Sequence, residues 1–258
     1  MQKIVFCLIL IACSITVFGQ EQPKNSIKFN VVGPLSQLYS FQYERALNDK
    51  WAFNNTFFYR QKSLIPFGVP IDTLAKRHGV GLTGIKFEYI FMNEARVGVM
   101  GYSPEIRKYF GENKNRWFVS VFGQFEKFDM TVPASLAIKY QGLFLDAKSP
   151  VDFTFRANSI GLLVGKQFRW SNFGVDFVII GPHLGFANTF NATATNEVLG
   201  KLSEDEKTYL KDKIIERFGL SNNYFSLNIT DEKAEIKSIR SIPYFSIRGA
   251  GLNLFYRF

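Results

Sequence analysis

Histidine and cysteine, the residues most often used for catalysis and metal binding, are scarce in this sequence. Its histidines are His78 and His183, and its cysteines, Cys7 and Cys13, lie near the start of the chain. Two isolated histidines form no metal-ligand cluster. No G-x-S-x-G motif marks a nucleophilic serine. We therefore predict no catalytic residue, no metal and no cofactor. The alternative is an enzyme that uses His183 with a nearby serine or carboxylate.

Charged and amide side chains recur on one face of alternating segments. In LYSFQYERAL (38–47), aromatic residues alternate with polar ones, and RWFVSVFGQFEKF (116–128) follows the same rule. Strict alternation predicts β-strands with one apolar and one polar face. The polar faces of these and similar segments carry Glu44, Glu105, Arg107, Gln124, Glu126, Arg169 and Arg257.

Two interpretations fit these residues if the strands close into a ring with its polar faces inside. In the first interpretation, a proton relay or a substrate site is formed by Glu44, Glu105 and Arg107. In the other, carboxylates and guanidinium groups pair as a structural plug, because an unpaired buried charge is costly. We favour the plug, since a small barrel fills its interior with side chains.

The strands are parted by turn signals and by longer connections. Strands are predicted at 26–32, 38–47, 51–60, 81–91, 96–110, 116–128, 153–170, 173–186 and 242–258, with loop-like connections at 61–78, 129–152 and 187–241. The motif GVGLTG (79–84) matches a dinucleotide-binding pattern by its letters. A strand-like segment follows it instead of a helix, so we discard that function.

One segment has helical periodicity. The spacing of apolar residues predicts an amphipathic helix at about 203–218, with a capping box formed by Ser203 and Glu206 and a C-terminal cap at Gly219. Its apolar face would consist of Leu210, Ile214 and Phe218. The helix would cover the mouth of a barrel or act as a lid or docking element. The stretch 224–240 could form a hairpin beside it.

The chain begins with a basic residue and an apolar stretch, which predicts a secretory signal peptide at 1–19 and a single mature domain at 20–258. Lipidation at Cys13 is a weaker alternative. Removal of the signal would leave no cysteine. The net charge of +9 is typical of nucleic-acid binding, but an exported protein meets no nucleic acid, and we predict solvated basic loops instead.

Hydrophobic residues make up 47% of the chain and aromatic residues 16%, yet they are spread over alternating segments. This pattern predicts an all-β, antiparallel transmembrane β-barrel with apolar residues facing lipid. Eight strands result if 79–95 belongs to a loop, and other pairings allow eight or ten. The chain closes on Tyr256 and Phe258, and a terminal aromatic residue on such a strand is a signal for outer-membrane insertion.

Several stretches resemble the small OmpA/OmpX-like barrels of Bacteroidota, in particular a family of unknown function. They are IKFNVV (27–32), FQYERAL with NDKWAF (41–53), SPEIRKYF (103–110) and PYFSIRGAGLNLFYRF (243–258). The chain departs from that pattern at 61–97 and 187–241. The resemblance implies an eight-stranded barrel in the outer membrane of a Gram-negative bacterium. It implies no activity.

We therefore expect a non-enzymatic outer-membrane protein that is structural, or that binds an extracellular ligand or protein partner through long loops. Its other partners would be outer-membrane lipid and the barrel-assembly machinery. A lipid-modifying enzyme, similar to a lipid A deacylase or acyltransferase, and a small passive channel are the alternatives.

Overall fold

The computed structural model describes residues 24–258 apart from 67, 71, 74–88, 113 and 141–142. The predicted signal peptide, His78 and the GVGLTG motif lie outside the described residues, as does most of the predicted strand 81–91. No helix in the described part of the chain has the length and apolar character that a bilayer-crossing helix needs.

The described chain is dominated by antiparallel strands. They are β1 (Asn25–Asn30), β2 (Leu38–Ala46), β3 (Trp51–Leu64), β4 (Arg96–Glu112), β5 (Asn115–Tyr140), β6 (Leu143–Trp170), β7 (Phe173–Thr195), β8 (Phe225–Ile229), β9 (Lys233–Ser238), β10 (Ile242–Arg248) and β11 (Gly251–Arg257). One α-helix, Glu204–Phe218, is called the loop helix below. Short 3-10 helices occupy Gly33–Ser36, Met92–Glu94 and Glu197–Lys201.

Eight strands form a closed ring. Strands β1 to β7 pair in chain order, and β11 pairs with both β1 and β7, which closes the circle. Strand β10 pairs with β7 beyond the end of β11, so β10 and β11 together form the eighth strand, with a break at 249–250. The predicted all-β fold with eight strands is confirmed. Strands β1 and β2 are separate, and 65–95 connects β3 to β4.

The two ends of the ring differ. At one end, here called the turn end, short connections join β2 to β3, β4 to β5 and β6 to β7. The backbones of Asn25 and Phe258 bond to each other there, at 3.2 and 2.9 Å, which ties down both ends of the described chain. The opposite end, the loop end, holds the connections 31–37, 65–95 and 196–241. The predicted asymmetry of short turns and longer connections is therefore present.

The predicted connection at 129–152 is wrong. Strands β5 and β6 continue through it as one long hairpin. Pro133 and Pro150 lie opposite each other in the ladder between β5 and β6. The carbonyl oxygen of Pro133 points to the other edge of β5, where it accepts from the Phe91 N–H at 2.9 Å. The two prolines therefore occupy a pair that needs no N–H donor between β5 and β6.

The predicted connection at 187–241 is also too long, because β7 extends to Thr195. The predicted hairpin is confirmed as β8 and β9, and β9 pairs with the extended part of β7. Strands β5 to β9 thus continue the wall of the ring beyond the other strands at the loop end. Ile90 pairs with Ala134 on the free edge of β5.

The predicted helix is confirmed, and its boundaries follow from its caps. The Glu206 N–H donates to Ser203 Oγ at 3.3 Å, and the Ser203 N–H donates to Glu206 Oε2 at 2.8 Å. Gly219 ends the helix in the left-handed region, with φ of 63°. Two side chains of the helix, Leu210 and Ile214, are buried. They pack in an apolar cluster with Ala187, Phe225 and Leu227 of the extended wall, Leu199 of the 3-10 helix Glu197–Lys201 and Ile242 of β10.

Candidate functional site

Five charged side chains from four strands meet inside the ring. Lys28 Nζ lies 2.9 Å from Glu44 Oε2 and also bonds to Asp176. Arg107 Nε lies 2.6 Å from Glu105 Oε1, and its Nη1 lies 2.7 Å from Asp176 Oδ2 and 3.3 Å from Glu44 Oε2. No side chain of the five is more than 7% exposed. These residues are called the ion-pair cluster.

Neutral donors saturate the carboxylates of the ion-pair cluster. Tyr109 OH donates to Glu44 Oε2 at 2.7 Å, and Gln167 Nε2 donates to Asp176 Oδ1 at 2.7 Å. The two oxygens of Glu105 accept from Ser120 Oγ at 2.7 Å and from Asn54 Nδ2 at 3.0 Å. Each carboxylate is therefore held by cations and by neutral donors, as buried charges require. Such an arrangement fills the lumen and holds its charges in place.

The structure divides the seven residues singled out in the sequence into three groups. Glu44, Glu105 and Arg107 belong to the ion-pair cluster. Gln124 and Glu126 form a second group nearer the loop end, in which Gln124 Nε2 donates to Glu126 Oε1 at 2.7 Å and Tyr244 OH donates to Glu126 Oε2 at 3.0 Å. Arg169 and Arg257 are half-buried at the turn end, outside both groups.

Sequence reasoning missed two members of the ion-pair cluster, Lys28 and Asp176. Both lie on alternating segments, between Ile27 and Phe29 in β1 and between Val175 and Phe177 in β7. The period-two rule that found Glu44 would have found them. Their contact with each other carries no signal in the sequence, because 148 positions separate them.

A cavity of about 420 Å³ lies between the ion-pair cluster and the loop end. Its walls combine aromatic, aliphatic and polar side chains from most of the ring. They are Asn30, Leu38, Ser40, Thr56, Phe58, Val99, Gln124, Glu126, Phe128, Val178, His183, Tyr244, Ser246, Ile247, Arg248, Gly249, Ala250, Gly251 and Asn253. Pockets of this size and mixed lining are typical of small-molecule sites.

His183 lies inside the ring. A lone histidine at a strand end is ordinarily a surface residue, but β7 continues beyond His183, which is 2% exposed. Its Nδ1 lies 2.8 Å from Ser159 Oγ on β6. Its ring packs against Phe122 and Tyr244. Among the described residues, no carboxylate bonds to His183, and none forms a metal-binding group of three or more with histidine or other carboxylates.

The residues predicted as an insertion signal lie at the turn end. Tyr256 points outwards, is 40% exposed, and packs against Phe173 with ring centroids 5.0 Å apart. Phe258 stacks on Tyr256 at 6.4 Å. The terminal segment is thus the last outward-facing part of the strand that closes the ring.

The predicted apolar face of the loop helix points to the extended wall. Leu210 and Ile214 are buried, and Phe218 is partly buried, with its ring at 6.4 Å from that of Tyr89. These three side chains also line a small apolar cavity of about 110 Å³ between the helix and the wall. The helix therefore packs as a cap on the extended wall.

The family model of a protein of unknown function, DUF3575, matches residues 5–212. The chain belongs to this family. No protein in the comparison with curated proteins matches it.

The DUF3575 match covers β1 to β7 and therefore the whole ion-pair cluster. It ends within the loop helix, so Arg248 and Asn253, which line the larger cavity, lie beyond it. The polar centre of the ring thus belongs to the part that the family describes. The strand that closes the ring in this DUF3575 chain adds the last polar groups of the cavity.

Proposed function

We propose that this DUF3575 chain is a non-enzymatic outer-membrane β-barrel with a closed lumen, which binds a ligand or partner at its loop end. The observation that carries the proposal is a ring with an exposed apolar outer surface around the buried ion-pair cluster. A water-soluble ring would expose the opposite pattern. Hydrocarbon accepts β-structure only when the ring is closed, and this ring is closed.

The outer surface supports a membrane location. Its exposed large side chains include Ile27, Phe29, Tyr39, Phe41, Phe53, Phe57, Tyr59, Met100, Ile106, Val119, Val121, Phe125, Ile160, Leu162, Phe177, Leu184, Phe186, Phe245, Ile247 and Leu254. An apolar surface of this extent is far larger than the patches that monomeric soluble proteins expose. We call it the apolar belt.

The height of the apolar belt matches a bilayer. On β6, the outward-facing residues from Trp170 to Ile160 are apolar apart from Lys166, and the same face then turns polar at Asn158 and Arg156. Ten rises of about 3.4 Å, reduced by a strand tilt of about 40°, give a height of about 26 Å. The apolar band of outer-membrane barrels is about 25 Å tall.

The turn end carries the aromatic residues expected at a membrane interface. Trp51, Phe110, Trp117, Trp170, Phe173 and Tyr256 are exposed there. Lys108 Nζ lies 5.3 Å from the Trp51 ring, and Lys166 Nζ lies 5.1 Å from the Trp117 ring. Amphipathic rings and lysines that reach from an apolar stem to a polar head are typical of this boundary.

The ion-pair cluster argues against the passive channel. Its side chains cross the lumen, and their polar atoms are bonded to each other, so that a passing ion would have to break buried charge pairs. We infer a structural plug. Binding would then be confined to the loop end, where the larger cavity and the loop helix lie.

The finer assignment follows the resemblance in sequence. We propose that the chain is an OmpA/OmpX-like barrel from a member of the Bacteroidota, exported by the signal at 1–19. Tyr256 and Phe258 would present the closing strand to the barrel-assembly machinery. Their place at the turn end, beside the backbone bonds of Asn25, supports this role.

Membrane extraction and gel mobility test the proposal. The protein should fractionate with the outer membrane, require detergent for extraction, and run faster on a gel unheated than boiled. Planar-bilayer recordings should show no steady conductance. A protein that stays in solution without detergent would refute the membrane location, and a stable open conductance would refute the plug.

A second candidate, the lipid-modifying enzyme, is kept because of one contact. Ser159 and His183 lie 2.8 Å apart within the ring, as a hydrolytic pair requires. Lipid A mass spectra from cells with the wild type, with Ser159→Ala and without the protein would decide. Identical spectra from all three would rule out lipid A as a substrate. A modification lost in Ser159→Ala would favour the enzyme.

A further inference from the structure

Asn253 holds an amide donor that points into the larger cavity. Arg107 can only donate, so Gln42 Oε1 faces Arg107 Nη2, at 3.5 Å. Gln42 Nε2 then donates to Asn253 Oδ1 at 3.1 Å. This chain of donors and acceptors fixes the Asn253 amide with Nδ2 as the remaining group. Asn253 is 1% exposed, and Nδ2 bonds to no atom of the described residues.

Arg248 supplies a second donor to the same cavity. Its Nη1 is buried and makes no hydrogen bond within the described chain. Arg248 Nη1 lies 3.8 Å from Glu105 Oε2, which is an ion pair but too long for a hydrogen bond. The carboxylate of Glu105 already accepts from Arg107, Ser120 and Asn54. Buried N–H groups without an acceptor, such as Arg248 Nη1 and Asn253 Nδ2, are costly, so this cavity suits a group with oxygen acceptors.

The wall of the ring is interrupted beside these donors. Strand β1 ends at Asn30, so the first residues of β2, Leu38–Ser40, have no β1 partner. Strand β10 pairs with β7 on one side and with no described strand on the other. The connection 31–37 lies between these edges, and its Leu35 is 86% exposed. The cavity lining includes Leu38 on one side of this gap and Ile247 on the other.

The rest of the lining suits an apolar group. Phe58, Val99, Phe128 and Val178 line the cavity together with Leu38, and apolar atoms dominate its surface. The gap in the wall lies within the apolar belt, next to Tyr39 and Phe245, which are about half exposed. A ligand held here would therefore place an acceptor group near the ion-pair cluster and an apolar part toward the gap.

We propose that this cavity binds an organic carboxylate with an apolar tail. The carboxylate would accept from Arg248 Nη1 and Asn253 Nδ2, and the tail would contact the aromatic lining. The guanidinium favours a carboxylate over a neutral oxygen group because hydrogen bonds between charged groups are stronger. The carboxylate of Glu126, which also lines the cavity, accepts from Gln124 and Tyr244, and no hydrogen bond joins it to Arg248 among the described residues.

This inference rests on the ligand-binding role proposed above and names the ligand class. It can be tested on the detergent-purified, folded barrel by calorimetry with 3-phenylpropionate, its neutral amide 3-phenylpropionamide, and acetate. The acid should bind roughly tenfold to a hundredfold more tightly than the amide. It should also bind more tightly than acetate, which lacks the tail.

Variants locate the site. Arg248→Met and Asn253→Leu should each weaken binding of the acid roughly tenfold or more, since each removes one donor and keeps much of the side-chain volume. Arg169→Met is the matched control, because it removes a half-buried arginine that lies outside the cavity. The affinity of Arg169→Met for the acid should equal that of the wild type. Every variant must first show the heat-dependent gel shift of the folded barrel.

The comparison of the acid with the amide uses the wild-type protein alone. It therefore tests the proposed carboxylate site even if Arg248→Met fails to fold. Equal affinities for acid and amide, or no binding of either, would overturn the inference. Binding of the acid that survives both Arg248→Met and Asn253→Leu would overturn it as well. Tight binding of acetate would refute the apolar tail. These binding results do not test the membrane location, because extraction and gel mobility test it separately.

Discussion

Replacing Arg107 by methionine should destabilise the barrel strongly. Arg107 is fully buried and contacts Glu105, Asp176 and Glu44 through Nε and Nη1 at 2.6, 2.7 and 3.3 Å. In its absence, Lys28 still holds Glu44 and Asp176, so Glu105 becomes the least compensated charge. Removing one partner of a buried ion pair costs about 3–5 kcal/mol.

The measurement is equilibrium unfolding by urea in detergent micelles or liposomes, followed by tryptophan fluorescence. All three tryptophans of the chain, Trp51, Trp117 and Trp170, lie in the aromatic layer at the turn end and report on exposure of the ring. With a slope of about 2 kcal/mol per molar urea, a loss of about 4 kcal/mol lowers the midpoint by about 2 M.

Two further variants identify the cause. Adding Glu105→Gln to Arg107→Met should recover about half of the lost stability, because it removes the uncompensated carboxylate and keeps its shape. Arg169→Met deletes the same charge from a half-buried position and should cost less than about 1 kcal/mol. An Arg107→Met midpoint equal to that of the wild type would refute the plug. A double variant less stable than Arg107→Met would refute the role of the unpaired charge.

Three other predictions concern the loop helix and the closing strand. Hydrogen bonds from the Ser203 N–H and then from its side chain lower the pKa of Glu206, so their contribution is present above about pH 4.5 and is lost as the pH falls below it; the hydrogen-exchange protection factors of the first helical turn should therefore fall with pH in the wild type, but not in Glu206→Gln. Ile214→Ala should cost the helix about 2–5 kcal/mol of local stability and expose it to limited proteolysis, while the gel shift of the ring stays unchanged. Deletion of Phe258 should reduce the amount of barrel assembled in cells, whereas the purified variant should keep an unfolding midpoint within about 0.5 M of the wild type.

Alternation in the sequence predicted most of the ring because each strand has one face toward lipid or solvent and one toward the lumen. It placed Glu44, Glu105 and Arg107 inside, and the helix boundaries followed from the caps at Ser203 and Gly219. The connection predicted at 129–152 was wrong, since neither segment by itself can reveal that Pro133 and Pro150 share one rung of a ladder. That rung depends on pairing between two segments.

The larger cavity was beyond the reach of the period-two rule. Between Arg248 and Gly251 the closing strand gains one residue, so that the side chains of Arg248 and Asn253 both face inwards although their numbers differ in parity. Strand β7 makes the same change opposite, where neighbouring Ile179 and Ile180 are both exposed. Such bulges move every later side chain to the other face. A single alternating pattern across 242–258 therefore cannot place Arg248 and Asn253 on the same, inward-facing side of the closing strand.

Closure of the ring and formation of the ion-pair cluster depend on each other. Lys28 on β1 and Asp176 on β7 bond across β11, the strand that pairs with both. The Phe255 ring of β11 packs against Lys28, whose Nζ lies 5.1 Å from the ring centroid, and it faces Gly174, where a Cβ atom would lie 2.3 Å from the ring. Before β11 pairs with β1 and β7, Lys28 and Asp176 do not form their ion pair. Burying either charge without a partner in a dry lumen costs a large amount of free energy. The cluster therefore stabilises the closed ring specifically, and we infer that its charges favour complete closure over partly assembled sheets.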